Sequence, residues 1–422
     1  MTAAPADDAV PFPHPAPTDV TDDGALVPDA ATPAPPARQP RYPHVDALRA
    51  IAALFVVWGH ATETISKLGL EYLGGAIALC LPTGGQWMNE ASTDFNFGRI
   101  GVVLFFAISG FVIPASLKGG RMAGLRRFAI SRVFRLYPAY WLSIPLGFLT
   151  SYWMWGTPFS WKDVGLNFTM VPELLGAQPA EGLYWTLATE LLFYGTCALL
   201  YAVGGLRRVR VIATLTLLLA LVCVRYRGYP QCFLAAHLSI MFFGTLCRYY
   251  LESDRQALRS RLLGLFILGY ALACVLLPLV AAYKLQAGRW PEFYYWTTRS
   301  YAIGIGLFCV GLTAVRIRWR FAAWLGEISY SLYLLHPAVL YALLWALLRW
   351  GPAGLYGLHQ SVYLLAVAAV TVLLSALSYH YLEKPAIRLG KHLAHRPPAN
   401  VARAAPKRSE NPPAAHTRDV RM

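Results

Sequence analysis

Ten stretches of nearly unbroken apolar sequence, separated by short polar or basic blocks, divide the chain between residues 47 and 382. They run approximately over 47–68, 97–116, 137–155, 183–203, 209–225, 231–250, 262–283, 297–315, 324–348 and 361–382. A helix needs about 20 such residues to cross a hydrocarbon core of roughly 30 Å, so most are long enough and 209–225 is at the short limit. The pattern predicts an all-α fold, a polytopic membrane helical bundle with about ten transmembrane helices. The glycine-interrupted run 70–82 reads as an interfacial or re-entrant piece rather than a further span. Residues 1–40, rich in Ala, Pro and Asp without apolar periodicity, read as a disordered cytoplasmic tail. They also lack the basic start and apolar run of a cleaved signal. Residues 391–422, basic and Pro/Ala-rich, read as a second disordered tail, which leaves 41–390 as the membrane domain.

Composition agrees, with 56% hydrophobic and only 14% charged residues, too little charge to cover a soluble surface. The formal net charge of +15 invites a nucleic-acid partner, but the basic residues fall in short blocks between apolar spans, the distribution that orients membrane proteins. No nucleic acid is expected; the lipid bilayer is. Lys118, Arg121, Arg126, Arg127, Arg132 and Arg135 join spans two and three, and Arg207, Arg208 and Arg210 join four and five. Arg248, Arg255, Arg259 and Arg261, then Arg316, Arg318 and Arg320, occupy the next two loops on that side. Arg225 and Arg227 are the exception on the other side. The bias predicts both termini in the cytoplasm. The seven cysteines form no Cys-x-x-Cys pair or Cys/His cluster, so no metal is expected. Cys223 and Cys232 flank one external loop, with no pattern that pairs them.

Polar residues at bilayer depth are expensive and usually face a protein interior or a watery cavity. His60 lies eleven residues after Arg49, so the two share a helical stripe roughly 16 Å apart along the axis. His60 is about 18 Å above the inner edge of its span, and Glu190 about 10 Å below the outer edge of span four. Their similar depth suggests an imidazole paired with a carboxylate, a general acid/base arrangement, against the alternative of an interhelical hydrogen bond that only holds the bundle together. Arg132 and Arg135, three residues apart on one face, suit forked hydrogen bonds to phosphate oxygens, although a cluster that only fixes orientation explains the charge as well. Ser109 and Gly110 suit close helix approach or a pocket lining. His336, followed by Pro337, reads as a second functional group or as a structural residue, with the structural reading preferred. Pro337 frees a carbonyl one turn earlier. His237, His359 and His380 lie nearer span ends, where interfacial solvation accounts for them.

In order, these pieces resemble the acyltransferase 3 family of bacterial integral-membrane O-acyltransferases. The likeness rests on Asp46 to Ala52 with His60, Phe105 to Phe111 (FFAISGF), Arg127 to Tyr140, and Tyr184-Trp185-Thr186-Leu187 with Glu190, Phe193 and Tyr194. It continues through Ile328 to Pro337 (ISYSLYLLHP) and Tyr381 to Pro385, and covers roughly residues 43–390. Thr186 stands where a serine is expected and keeps the hydroxyl. The resemblance implies catalytic roles for His60, Glu190 and Arg49, and acyl-CoA binding at Arg132 and Arg135. It also implies a substrate pocket near Ser109, Tyr184, Trp185, Tyr333 and His336. What it implies overall is transfer of an acyl group, most often acetyl from cytoplasmic acetyl-CoA as co-substrate, to an extracytoplasmic carbohydrate, by a multi-pass protein of the bacterial inner membrane. The alternative is a multi-span transporter or flippase of a glycan or small metabolite, which would use the same buried groups but usually shows an internal repeat absent here.

Overall fold

The structure is a computed structural model and describes residues 42–71, 86–225, 230–254, 256–289, 291–315, 319–352, 355 and 358–395. The described secondary structure is helical throughout. Helix α1 is Pro43–Glu71, α2 Gln86–Phe95, α3 Phe97–Val112 and α4 Arg121–Phe148. The short α5 (Trp161–Asn167) precedes α6 (Tyr184–Ala202), α7 (Val209–Arg225), α8 (Pro230–Glu252) and α9 (Leu258–Gln286). The chain continues through α10 (Glu292–Thr313), α11 (Arg320–Glu327), α12 (Ser329–Trp350), α13 (Gln360–Ser378) and α14 (Lys384–His395). Nine of the ten apolar stretches fall largely on one long helix each, whereas 324–348 begins in the short α11 and continues, past a break at Ile328, through α12. Six helices among the described residues are long and apolar enough to cross a membrane.

Helix α3 sits at the centre, against α1, α8 and α10. From Ile100 to Phe111 every side chain except that of Phe105 is buried. Small residues let the backbones close up, the main route to tight packing where lipid removes the hydrophobic drive between helices. A Cβ on Gly110 would overlap the Met241 carbonyl of α8, and one on Gly244 the Ala107 carbonyl of α3. The peripheral α9 shows the opposite pattern, with Leu262, Leu265, Leu268, Leu272, Leu276 and Leu279 exposed. A helix with that much bare leucine needs lipid around it.

Several boundaries differ from the sequence reading. Helix α4 begins at Arg121, so the arginines from Arg126 to Arg135 ride on the same helix that enters the apolar layer. It carries Pro138 and Pro145 internally and ends in a π-helical turn, Leu149–Met154. Helix α14 extends to His395, into the segment assigned to the C-terminal tail. Helix α1 reaches Glu71, whereas the rest of the 70–82 segment, residues 1–40 and the tail after 395 lie outside the described residues.

The connection from α4 to α6 is held by its own polar side chains. Ser160 and Asp163 form a reciprocal cap at the start of α5, and Asp163 also accepts from the Gln178 amide at 2.8 Å. These donors hold its carboxyl below the usual range. Asn167 donates to the Asp163 and Gln178 carbonyls and accepts from the Ala180 amide. Glu181 follows, buried at 3% exposure with its Oε1 unpartnered, and burial pushes its carboxyl up to about 8.

Candidate active site

A cavity of about 1130 Å³ opens at the end of the bundle opposite the arginine-rich loops. Its walls come from the C-terminal half of α1 and the first turns of α3, α6, α8 and α10, and include His60, Asn96, Arg99, Trp185, His237 and Tyr301. Helix α1 closes on α3 at Gly59, where a Cβ would overlap the backbone of Gly98. This contact sets His60 beside the start of α3, its Nε2 about 3.7 Å from where a Gly98 Cβ would stand.

The other ring nitrogen of His60 is fixed by α12. His60 Nδ1 lies 2.9 Å from His336 Nε2, and His336 Nδ1 lies 2.7 Å from the Tyr333 carbonyl. Pro337 has no N–H, so the carbonyl of Tyr333, four residues earlier, loses its helical donor. A carbonyl only accepts, so His336 donates from Nδ1 and its Nε2 becomes an acceptor. His60 then donates from Nδ1 and keeps the lone pair on Nε2, on the cavity side. His336 itself is fully buried. The His-Pro pair of α12 thereby sets the tautomer of a histidine on α1.

The cavity wall also carries several aromatic side chains and one arginine. The Arg99 guanidinium lies over the Phe293 and Phe233 rings, 5.1 and 5.9 Å from their centroids, and donates to Thr297 Oγ1 at 2.5 Å. His237 is buried at 4% exposure, 2.7 Å from the Tyr301 hydroxyl, with its ring against Phe106 and Trp185. Interfacial solvation therefore does not describe His237, which is a buried wall residue. His359 by contrast caps α13, accepting from the Ser361 amide.

A second, smaller pocket of about 60 Å³ lies on the side of the basic loops, and Val102 lines both spaces. Arg49, Arg135, Ser109, Glu190, Thr186 and Tyr333 surround it. Glu190 accepts from Ser109 at 3.0 Å and from Tyr194 at 2.7 Å. Thr186 and Tyr333 share a hydrogen bond of 2.7 Å, which uses the hydroxyl that threonine keeps. Arg49 leaves a buried Nε unpartnered, as does Arg132. Arg132 also donates to Ser116 at 2.9 Å and stacks over Phe128 and Tyr194.

Seven of the ten candidate site residues divide between two spaces, and Arg132, Tyr184 and His336 line neither. His60 and Trp185 line the outer cavity; Arg49, Arg135, Ser109, Glu190 and Tyr333 line the inner pocket. The expected pairing of His60 with Glu190 is not present: His336 occupies that place, and Glu190 is held by Ser109 and Tyr194. Depth along two helices fixes height but not direction around the bundle, and α1 packs on α3 and α12. Ser109, bonded to Glu190, lines this inner pocket and not the cavity beside His60. Tyr184 lines neither space; it is fully buried, bonds Ser143 at 2.8 Å and packs against Tyr140. Arg99 was legible as a charge just inside an apolar span, a signal the motif reading passed over. Among the described residues no group of three or more His, Cys, Asp or Glu side chains has the arrangement of a metal site.

The family profile Acyl_transf_3, described as an acyltransferase domain, matches residues 42–380. Nodulation protein 10 of Rhizobium leguminosarum bv. viciae is 26% identical over 180 residues, 37% of this chain and 43% of that protein. The match thus spans less than half of that relative's length. No solved structure matches the chain.

Proposed function

The chain belongs to the Acyl_transf_3 family of acyltransferases, and from that premise we propose that it moves an acyl group, acetyl foremost, from cytoplasmic acyl-CoA to a hydroxyl of an extracytoplasmic carbohydrate such as exopolysaccharide or O-antigen. The observation that carries this reading is the chain of contacts from the Tyr333 carbonyl through His336 to His60, which leaves a free imidazole lone pair at the wall of a large cavity. In the reaction, His60 Nε2 takes the proton of the acceptor hydroxyl as its oxygen attacks the thioester carbonyl carbon. The C–S bond breaks, and the thiolate of coenzyme A leaves and is protonated. His336 positions the base and, through its own Nε2, shares the charge that His60 gains.

Support on the donor side comes from the inner pocket. Arg49 has an orphaned buried N–H there, and Arg135 lines the same pocket. Planar guanidinium groups with spare donors suit phosphate oxygens, so Arg135, Arg49 and the neighbouring Arg132 are the residues that would hold coenzyme A phosphates. A pocket of about 60 Å³ is far smaller than a pantetheine arm, so donor entry requires side chains around Val102 and Phe105 to move apart. Cavity walls rich in Trp, Phe and Tyr suit the apolar faces of sugar rings. The arginine blocks favour an inner-membrane orientation with both termini in the cytoplasm.

The test is deletion of the gene followed by mass analysis of the surface glycans. Loss of an acyl group that returns with the wild-type gene but not with His60→Ala is expected. Unchanged glycans, or full restoration by His60→Ala at normal protein level, would remove this function.

A further inference from the structure

Resting on the acyltransferase reading, we propose that the acceptor carries an anionic group, a carboxylate or phosphate, that binds Arg99 in the outer cavity. Arg99 is in the first turn of α3 and half-buried, and its polar partner is a neutral hydroxyl, Thr297 Oγ1. The Phe233 and Phe293 rings attract the cation through their faces but accept no conventional hydrogen bond. A guanidinium has five N–H donors, so most remain for a ligand. Two carboxylates on the cavity wall, Glu63 and Glu173, are exposed, and among the described residues Arg99 has no ion pair. A half-buried cation with no counter-charge among the described residues is costly to keep unless an anion joins it. The positive end of α3 adds to the same field.

The experiment takes the glycan that loses its acyl group on gene deletion and determines its charge. A uronate-type carboxylate, revealed by carboxyl esterification, or a phosphate, revealed by phosphatase treatment, supports the site and tells the two sources apart. A neutral acylated glycan overturns it. In the deletion strain, Arg99→Gln is expected to restore less than about a tenth of wild-type acylation, and Arg99→Lys, which keeps the charge, most of it. Equal restoration by Arg99→Gln overturns the proposal. A deletion strain with unchanged glycans defeats the acyltransferase reading itself, an outcome separate from both.

From a different observation, we infer that Cys223 and Cys232 are joined by a disulfide. Cys223 lies in the last turn of α7 and Cys232 in the first turn of α8, with their Sγ atoms 3.1 Å apart. A disulfide needs about 2.0 Å, so closure takes a shift of roughly 1 Å, within reach of a side-chain rotation. In the proposed orientation this hairpin faces the extracytoplasmic side, where disulfides persist. The two thiols lose two protons and two electrons to an extracytoplasmic protein disulfide, which leaves as a dithiol. The bond would anchor the start of α8, which presents Phe233 and His237 to the cavity.

Arg225 and Arg227 lie between the cysteines, so trypsin separates residues 211–225 from 228–248 unless sulfur joins them. Membranes alkylated before solubilisation and digested without reductant are expected to yield the linked pair at the summed mass less two hydrogens, plus any alkyl group on Cys247 of the second peptide, with fragmentation placing the link at Cys232 and the pair splitting on reduction. Two alkylated, unlinked peptides overturn the inference. If an impermeant alkylating reagent applied outside blocks those thiols, the chemistry has failed. If only a permeant one does, the orientation has failed.

Discussion

His60 depends on a neighbour that cannot be read as its partner from sequence. Arg49 and His60 are visible as polar positions in an apolar run, but nothing in the spacing ties His60 to residue 336. The tie comes from Pro337, whose missing N–H hands the Tyr333 carbonyl to His336 and sets the hydrogen-bond direction. His60→Ala is expected to lower acyl transfer by about 10²–10⁴-fold, the usual range for a general base, with membrane levels unchanged; transfer rates per protein check this. His336→Ala is expected to lower kcat by about 10-fold or more with little change in KM, because it orients the base without touching substrate. His336→Asn, whose amide can donate to Tyr333 and accept from His60, should recover part of that loss. Equal activity of both variants with wild type would show that His336 only packs.

At the scale of helices, the apolar periodicity located all ten long elements, since length and composition suffice for that. It did not reveal which helices touch, because small residues at crossings carry no period of their own. Gly59 and Gly98 are the case in point. Gly59→Ala would drive a methyl into the Gly98 backbone and is expected to destabilise the protein by about 1–3 kcal/mol, seen as an earlier thermal unfolding in detergent. Gly98→Ala meets only ordinary contacts, the nearest with the His60 ring at 3.5 Å, so it should fold normally yet lower activity by crowding the base. The π-helical turn Tyr379–Glu383 was likewise invisible in the sequence. It accompanies the burial of Glu383, which accepts from Ser331, itself bonded to Ser378 at 2.8 Å.

Across the whole molecule, the proposed function divides between an outer cavity lined by His60 and an inner pocket lined by Arg49 and Arg135, and Val102 lines both. Replacing Arg49 and Arg135 with alanine is expected to raise the apparent KM for acyl-CoA by about tenfold or more, checked by donor titration. Stability should carry its own pH signature from Glu181. Its carboxyl, ordinarily at 4.5 and pushed up to about 8 in the fold, stays protonated when folded at pH values where the unfolded chain ionises. The contribution of Glu181 to stability is therefore full below about 4.5 and is lost as pH rises through about 8. Glu181→Gln should flatten that slope and exceed wild type above pH 8 by on the order of a few kcal/mol, measured by thermal unfolding across pH. The most direct measurement of the central claim uses proteoliposomes with labelled acetyl-CoA on the side of the arginine-rich loops and the identified acceptor enclosed on the other. Label on the enclosed acceptor with wild type, and none with His60→Ala, is the predicted result. Label that never crosses, or that crosses equally well without the imidazole of residue 60, would contradict the account.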